Sequence, residues 1–187
     1  MVAASWWTIG PLVVLGSILH FVYDWSDHNR FVALIGAVNE SYWEHVKIAV
    51  WPVALFQATL FALGGHQFPS FIPASAVSLY SIAIGMIGLV FLYKSVTKRN
   101  VLVLDIGAFA LVMILAHVIF INLVVQLHAE LVTIVLSSAY LAGLIVSFLH
   151  FTLRPPREPD VFIDPITKGY GVGGHAEPPR GDDDRGP

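Results

Sequence analysis

The sequence predicts an all-α polytopic integral membrane helical bundle with five transmembrane helices, and three observations carry that prediction. Of 187 residues, 56% are hydrophobic and only 12% charged, against about 25% charged in an average soluble chain. With a mean hydropathy of +0.73, there are too few charges to cover a water-soluble surface. The apolar residues also fall into five segments, each near or above the roughly 20 residues that cross a hydrocarbon core. Finally, Arg30, Lys47, Lys94, Lys98, Arg99, Arg154 and Arg157 share one side of the resulting topology, and the other side has no Lys or Arg. The positive-inside rule then places the N-terminus outside and the C-terminus in the cytoplasm, with the bundle in the cytoplasmic (inner) membrane.

The bundle is expected over 1–153. Its first helix covers about 6–24, with Trp6 and Trp7 as an interfacial aromatic belt and Gly10-Pro11 in the first turns, where proline is tolerated. It lacks the basic start and small-residue cleavage site of a signal peptide. A polar connection follows at 25–37, then helices at 39–62, 71–93, 101–126 and 131–153. Gly64-Gly65, Pro69 and Pro73, the run 94–100 and the short link 127–130 mark the breaks. Pro52 removes one backbone hydrogen bond inside the second helix. The tail 154–187 differs in composition. It holds Pro155, Pro156, Pro159, Pro165, Pro178, Pro179 and Pro187, together with 12 of the 23 charged residues, and is expected to be partly disordered. Its more apolar piece, 160–172, is expected to dock on the cytoplasmic face.

Polar chemistry concentrates in Val38-Asn39-Glu40-Ser41-Tyr42-Trp43-Glu44-His45-Val46-Lys47. On a helix, Glu40, Ser41, Glu44 and His45 share one side. Ser41-x-x-Glu44 also reads as a capping box, and Asn39 as an alternative N-cap. Capping accounts for Ser41 and Glu44 but not for Glu40 and His45, and ionisable groups near hydrocarbon are functional candidates. His20 and Asp24, four residues apart, end the first helix at the same depth. Asp105 starts the fourth helix there and His150 ends the fifth. Each has a plainer reading. His20 alone suits packing, Asp24 a helix end, Asp105 a cap or a partner for Lys94 or Arg99, and His150 the headgroup zone beside Arg154. His117 falls nearer the opposite face. Asp27 and His28 read as solvated loop, and His66 and His175 as uninvolved.

The chemistry these residues allow is limited. With no cysteine, a metal site must use His, Asp and Glu. His20, Glu40, Glu44 and His45 offer donors for a divalent metal (zinc, iron or manganese); of these His20, Glu44 and His45 are the expected ligands, and Glu40, Ser41 and Glu44 the expected catalytic groups. Lys47, three residues from Glu44, is a competing way to neutralise that carboxylate. Without metal, a carboxylate–imidazole pair suits proton relay. No phosphate loop, His-Glu-x-x-His or basic aromatic patch is present, so no nucleic-acid partner is expected.

The Ser41–His45 spacing resembles that of the membrane-embedded ceramidase and receptor-like hydrolase superfamily, but this chain has five expected spans rather than seven and lacks the paired His-x-x-x-His. A broader resemblance rests on His20-Phe21-Val22-Tyr23-Asp24-Trp25, the 38–47 motif with Trp51-Pro52, and Asp164-Pro165-Ile166-Thr167-Lys168-Gly169-Tyr170-Gly171-Val172. Together they resemble a family of small prokaryotic multi-spanning membrane proteins with no assigned activity. That likeness implies membrane location and makes Asp164 and Tyr170 candidates for closing the site. Two functions are expected: a metal-dependent membrane hydrolase acting on a lipid or small amphiphile, or a non-catalytic accessory subunit or proton or ion relay. Membrane lipid, and a protein partner or second copy, are the expected partners.

Overall fold

The computed structural model describes residues 7–99, 101–156 and 158–173. Trp6, Asn100, Arg157, His175 and the acidic run 182–184 lie outside the described residues, as does the expectation of disorder at the end of the tail. Six α-helices are described: α1 Ile9–Leu19, α2 Val22–Trp25, α3 Tyr42–Ala62, α4 Phe71–Thr97, α5 Leu102–Gln126 and α6 Leu131–Leu153. Four of them, α3 to α6, are long and apolar enough to cross a membrane. The protein is a helical bundle of the membrane type.

The expected first span is interrupted. α1 ends at Leu19, and α2 begins only after His20 and Phe21. Continuing the helix would require the Leu19 carbonyl to accept from the Tyr23 N–H. That carbonyl accepts instead from the Ala37 N–H, at 3.1 Å. The loop approaches this closely because of Gly36, where a Cβ would stand 2.6 Å from Val22 Cγ2 and 3.2 Å from the Leu19 oxygen. With 11 residues, α1 is about 16 Å long, shorter than a hydrocarbon core of about 30 Å.

Within the bundle, α4 packs against α3, α5 and α6, while α1 lies across α3 and α5. Gly16 permits that crossing, since a Cβ there would meet Phe109 Cζ at 2.7 Å and the Ile48 carbonyl oxygen at 3.0 Å. The same carbonyl is the one Pro52 cannot bond, because proline has no N–H. The main core gathers Val46, Val50 and Val53 of α3, Ile82 and Met86 of α4, and Val112 and Met113 of α5. A smaller core of Phe71, Ala74, Phe120 and Val124 closes the end away from the polar motif.

The connection 26–41 folds back over the polar end. Its 3-10 turn Val32–Leu34 is fixed from below, where the Lys47 ammonium donates to the Ala33 carbonyl at 2.7 Å and the Trp51 indole to the Leu34 carbonyl at 3.1 Å. The tail covers the same end. Trp43 packs against Phe148 and Phe151 of α6 and Phe162 of the tail, with ring centroids 5.2 to 5.5 Å apart. Val161, Phe162 and Asp164 are buried there, so the apolar piece of the tail does dock.

Candidate functional site

The expected helix start at 39 moves to Tyr42, and the shift reorganises the site. Side chains instead bind the backbone N–H groups of the segment ahead of the helix. Glu44 Oε2 accepts from Val38 N–H at 3.0 Å, Asp164 Oδ2 from Glu40 N–H at 3.3 Å, and Asn39 Oδ1 from Ser41 N–H at 2.9 Å. Ser41 is the N-cap and accepts from Glu44 N–H at 3.4 Å. Half of the expected capping box is therefore present, with Glu44 reaching back to Val38 instead of Ser41. Glu40 and Ser41 precede the helix, so the single helical face expected for Glu40, Ser41, Glu44 and His45 does not exist. Glu40 and His45 are half-buried, while Ser41 and Glu44 are buried.

Glu44 and Lys47 form a buried pair, 2.5 Å apart. An ammonium has three donors, and those of Lys47 go to Glu44, the Ala33 carbonyl and Thr152 Oγ1, the last at 2.9 Å. Glu44, expected as a metal ligand, is thus neutralised by Lys47. The sequence signal for this was the i,i+3 spacing of the two residues within the helix.

Glu40, expected as a catalytic group and among the possible metal donors, is the carboxylate that joins the two histidines. Its Oε1 lies 3.2 Å from His20 Nε2 and its Oε2 lies 3.7 Å from His45 Nε2. The His20 and His45 rings are 5.3 Å apart between centroids. One ligand atom from each of the three residues falls within 4.8 Å of the others. His20 comes from the turn ending α1, Glu40 from the loop and His45 from the first turn of α3. His45 Nδ1 lies 2.9 Å from the Ser41 carbonyl oxygen. A carbonyl only accepts, so Nδ1 carries the proton and Nε2 presents its lone pair toward Glu40. Two acceptors facing one another need a cation between them, either a proton or a metal. The hydrogen bond to Glu40, foremost, holds the His20 imidazole above its usual range of 6.5 despite burial.

Glu40 and His45 border a cleft of about 290 Å³ between the start of α3, the end of α4, the start of α5 and the tail. Glu40, Tyr42, His45, Asp105, Met86 and Ile166 are among the residues lining it. Asp105 is therefore in the site region, held by the Tyr93 hydroxyl, and Lys94 donates to Tyr42 Oη at 2.5 Å. Asp164 closes the base. Fully buried, it accepts from Glu40, from Ile166 N–H at 2.7 Å and from Thr167 N–H at 3.1 Å. Asn39 donates to the Gly171 carbonyl at 3.0 Å. Tyr170 pairs through its backbone with Ile163. Two expected residues stand apart: Asp24 faces His28 at 3.5 Å in an exposed pair, and His150 is exposed against Phe151.

No curated protein and no solved structure matches the chain. A family model does, over residues 2–172, which takes in the His20 turn, the 38–47 motif and the docked tail. The chain belongs to that family, a family of unknown function (DUF6512).

Proposed function

We propose that the protein holds a divalent metal at His20, Glu40 and His45 and is a metal-dependent hydrolase of the cytoplasmic face of the inner membrane, acting on a lipid or small amphiphile. The observation that carries this reading is the convergence of His20, Glu40 and His45, each offering one ligand atom within 4.8 Å of the others. Ligands about 2.0–2.1 Å from a tetrahedral metal stand roughly 3.3 Å apart; His20 Nε2 lies 3.2 Å from Glu40 Oε1 and His45 Nε2 lies 3.7 Å from Glu40 Oε2, so the carboxylate stands between the two imidazoles with one oxygen toward each. The Ser41 carbonyl fixes the His45 tautomer that can ligate, the second-sphere contact usual for such histidines. Three protein ligands leave a position for water, and a metal there would supply Lewis-acid activation. Glu40 and Asp105 make one side of the cleft polar, while Met86, Val90, Leu102 and Ile166 make the rest apolar. An amphiphile fits such a lining. The excess of basic residues at this end supports its cytoplasmic placement.

Metal content of protein purified without chelator tests the reading. Near-stoichiometric zinc, iron or manganese is expected. His20→Ala, Glu40→Gln and His45→Ala should each lose it, and His66→Ala should not. Less than about a tenth of an equivalent after metal-supplemented expression would overturn it.

One observation favours a second reading. The His20–Glu40 contact of 3.2 Å is also satisfied by a single proton. An imidazole–carboxylate–imidazole chain would then relay protons, in a transport protein or accessory subunit. A metal-free protein whose His20→Ala and His45→Ala variants stay folded would support this alternative.

A further inference from the structure

The bundle contains a second cleft whose chemistry is independent of the metal site. α6 packs on α4 and meets α3 at the motif end, where Trp43 lies against Phe148 and Phe151 and Lys47 bonds Thr152. The gap between α3 and α6, floored by α4, encloses about 280 Å³, near the lower end of ligand pockets at roughly 300–1,000 Å³. Its wall is apolar, running from Phe61 and Phe71 at the far end to Trp51 and Phe148 toward the motif. The ten residues from Trp51 to Phe61 span about 15 Å of helix.

Two polar atoms interrupt this wall. Gln57 and Ser75 line the cleft, are 3% and 5% exposed, and have Oε1 and Oγ respectively without a hydrogen-bond partner. The orientation of the Gln57 amide follows from its neighbours. Ser78 spends its one hydroxyl proton on the Ala116 carbonyl, at 2.9 Å. Its oxygen can then only accept from Gln57, at 3.1 Å, so Nε2 faces Ser78 and Oε1 is left over. A buried acceptor without a donor is destabilising, and lipid tails cannot supply one. Gln57 is five residues from the end of α3 and Ser75 four from the start of α4, so both lie about 6–8 Å below the far ends of their helices. Both polar atoms therefore lie toward the end of the cleft nearest the interface, where an amphiphile carries its polar groups.

We infer that this cleft binds a single-chain amphiphile entering from the leaflet opposite the metal site, its hydroxyl or amide donor on Gln57 Oε1 and Ser75 Oγ and its chain running toward Phe148. The volume suits one chain rather than two. The polar requirement separates this ligand from bulk lipid, which would fill the gap without any donor.

The test compares two probes on the full chain in phosphatidylcholine nanodiscs: a long-chain monoacylglycerol and the same molecule with both hydroxyls methylated. A buried hydrogen bond gained on binding corresponds to a preference of about tenfold for the hydroxylated probe. Ala58 is exposed and lines the cleft mouth, so Ala58→Trp fills the entrance without disturbing the core and should abolish that preference. Gln57→Leu should level the two probes. Equal binding of both by the unaltered protein would overturn the proposal, showing an unselective chain-filled gap. A preference that survives Ala58→Trp would also overturn it, by placing the selective site elsewhere.

Discussion

Four of the ten residues of the 38–47 motif show how differently neighbouring side chains are used. Lys47 and Glu44 are structural. Lys47→Met leaves a buried carboxylate without its cation and should cost about 3–5 kcal/mol, whereas adding Glu44→Gln should recover much of the loss. Denaturant melts in detergent would measure both. Ser41→Ala should cost about 0.5–2 kcal/mol as a lost cap, toward the lower bound because its contact is long, at 3.4 Å. Glu40 belongs to the site, and its two candidate cations give opposite pH trends. With a proton as the cation, His20 has a folded pKa above 6.5, so its contribution is complete below pH 6.5 and fades as pH rises through the raised value. With metal the ligands must be deprotonated, and stability grows as pH rises. Chelator-treated protein should therefore melt lower at about pH 8 than at about pH 6, and zinc-loaded protein higher. The chemical types were legible in the sequence, and so was the Glu44–Lys47 spacing. Which carboxylate, Glu40 or Glu44, stands beside the two histidines was not, because it depends on the path of the segment ahead of the helix, and Asp164, 124 residues away, helps to hold that segment through the Glu40 N–H.

Among the elements, α3 to α6 were readable because length and hydropathy suffice for each, to within a few residues at the ends. The break at His20 was not. No Gly or Pro falls in 17–25, and the interruption comes from a tertiary bond between Ala37 N–H and the Leu19 carbonyl. The cue lies in Gly36, on the partner segment. Gly36→Val should displace that segment from the α1–α2 turn and weaken metal retention through His20, while leaving α3 to α6 intact by circular dichroism. The tail was half readable. Its apolar residues announced docking, but the bonds that fix it come from Asp164, Asn39 and the Gly171 carbonyl. Asp164→Ala removes the acceptor of three backbone N–H groups. It should free the tail and speed tryptic cleavage after Lys168, an exposed residue held in the turn that Asp164 organises.

For the whole molecule, the arrangement of charge supplies an orientation and α1 decides the number of crossings. The four long helices alternate in direction, so α3 and α5 start, and α4 and α6 finish, at the end where the motif and tail lie. Arg30, Lys94, Lys98, Arg99, Arg154 and Lys168 sit at that end, whereas the connections 63–70 and 127–130 have no Lys or Arg. In the proposed orientation, which rests on the positive-inside rule, the motif end faces the cytoplasm. Whether α1 also crosses depends on residues before Ile9, since its 11 residues alone fall short of a span. The chain has no cysteine, so single cysteines can be introduced without removing any others and labelled on intact cells with a membrane-impermeant maleimide. His66→Cys and His128→Cys should label on intact cells, and Lys98→Cys and Lys168→Cys only after lysis. Trp7 is 87% exposed and is the deciding position. If α1 is a fifth crossing, Trp7→Cys labels with His66→Cys. If it labels only after lysis, α1 turns back within the membrane, the bundle has four spans, and His20 reaches Glu40 from a re-entrant segment.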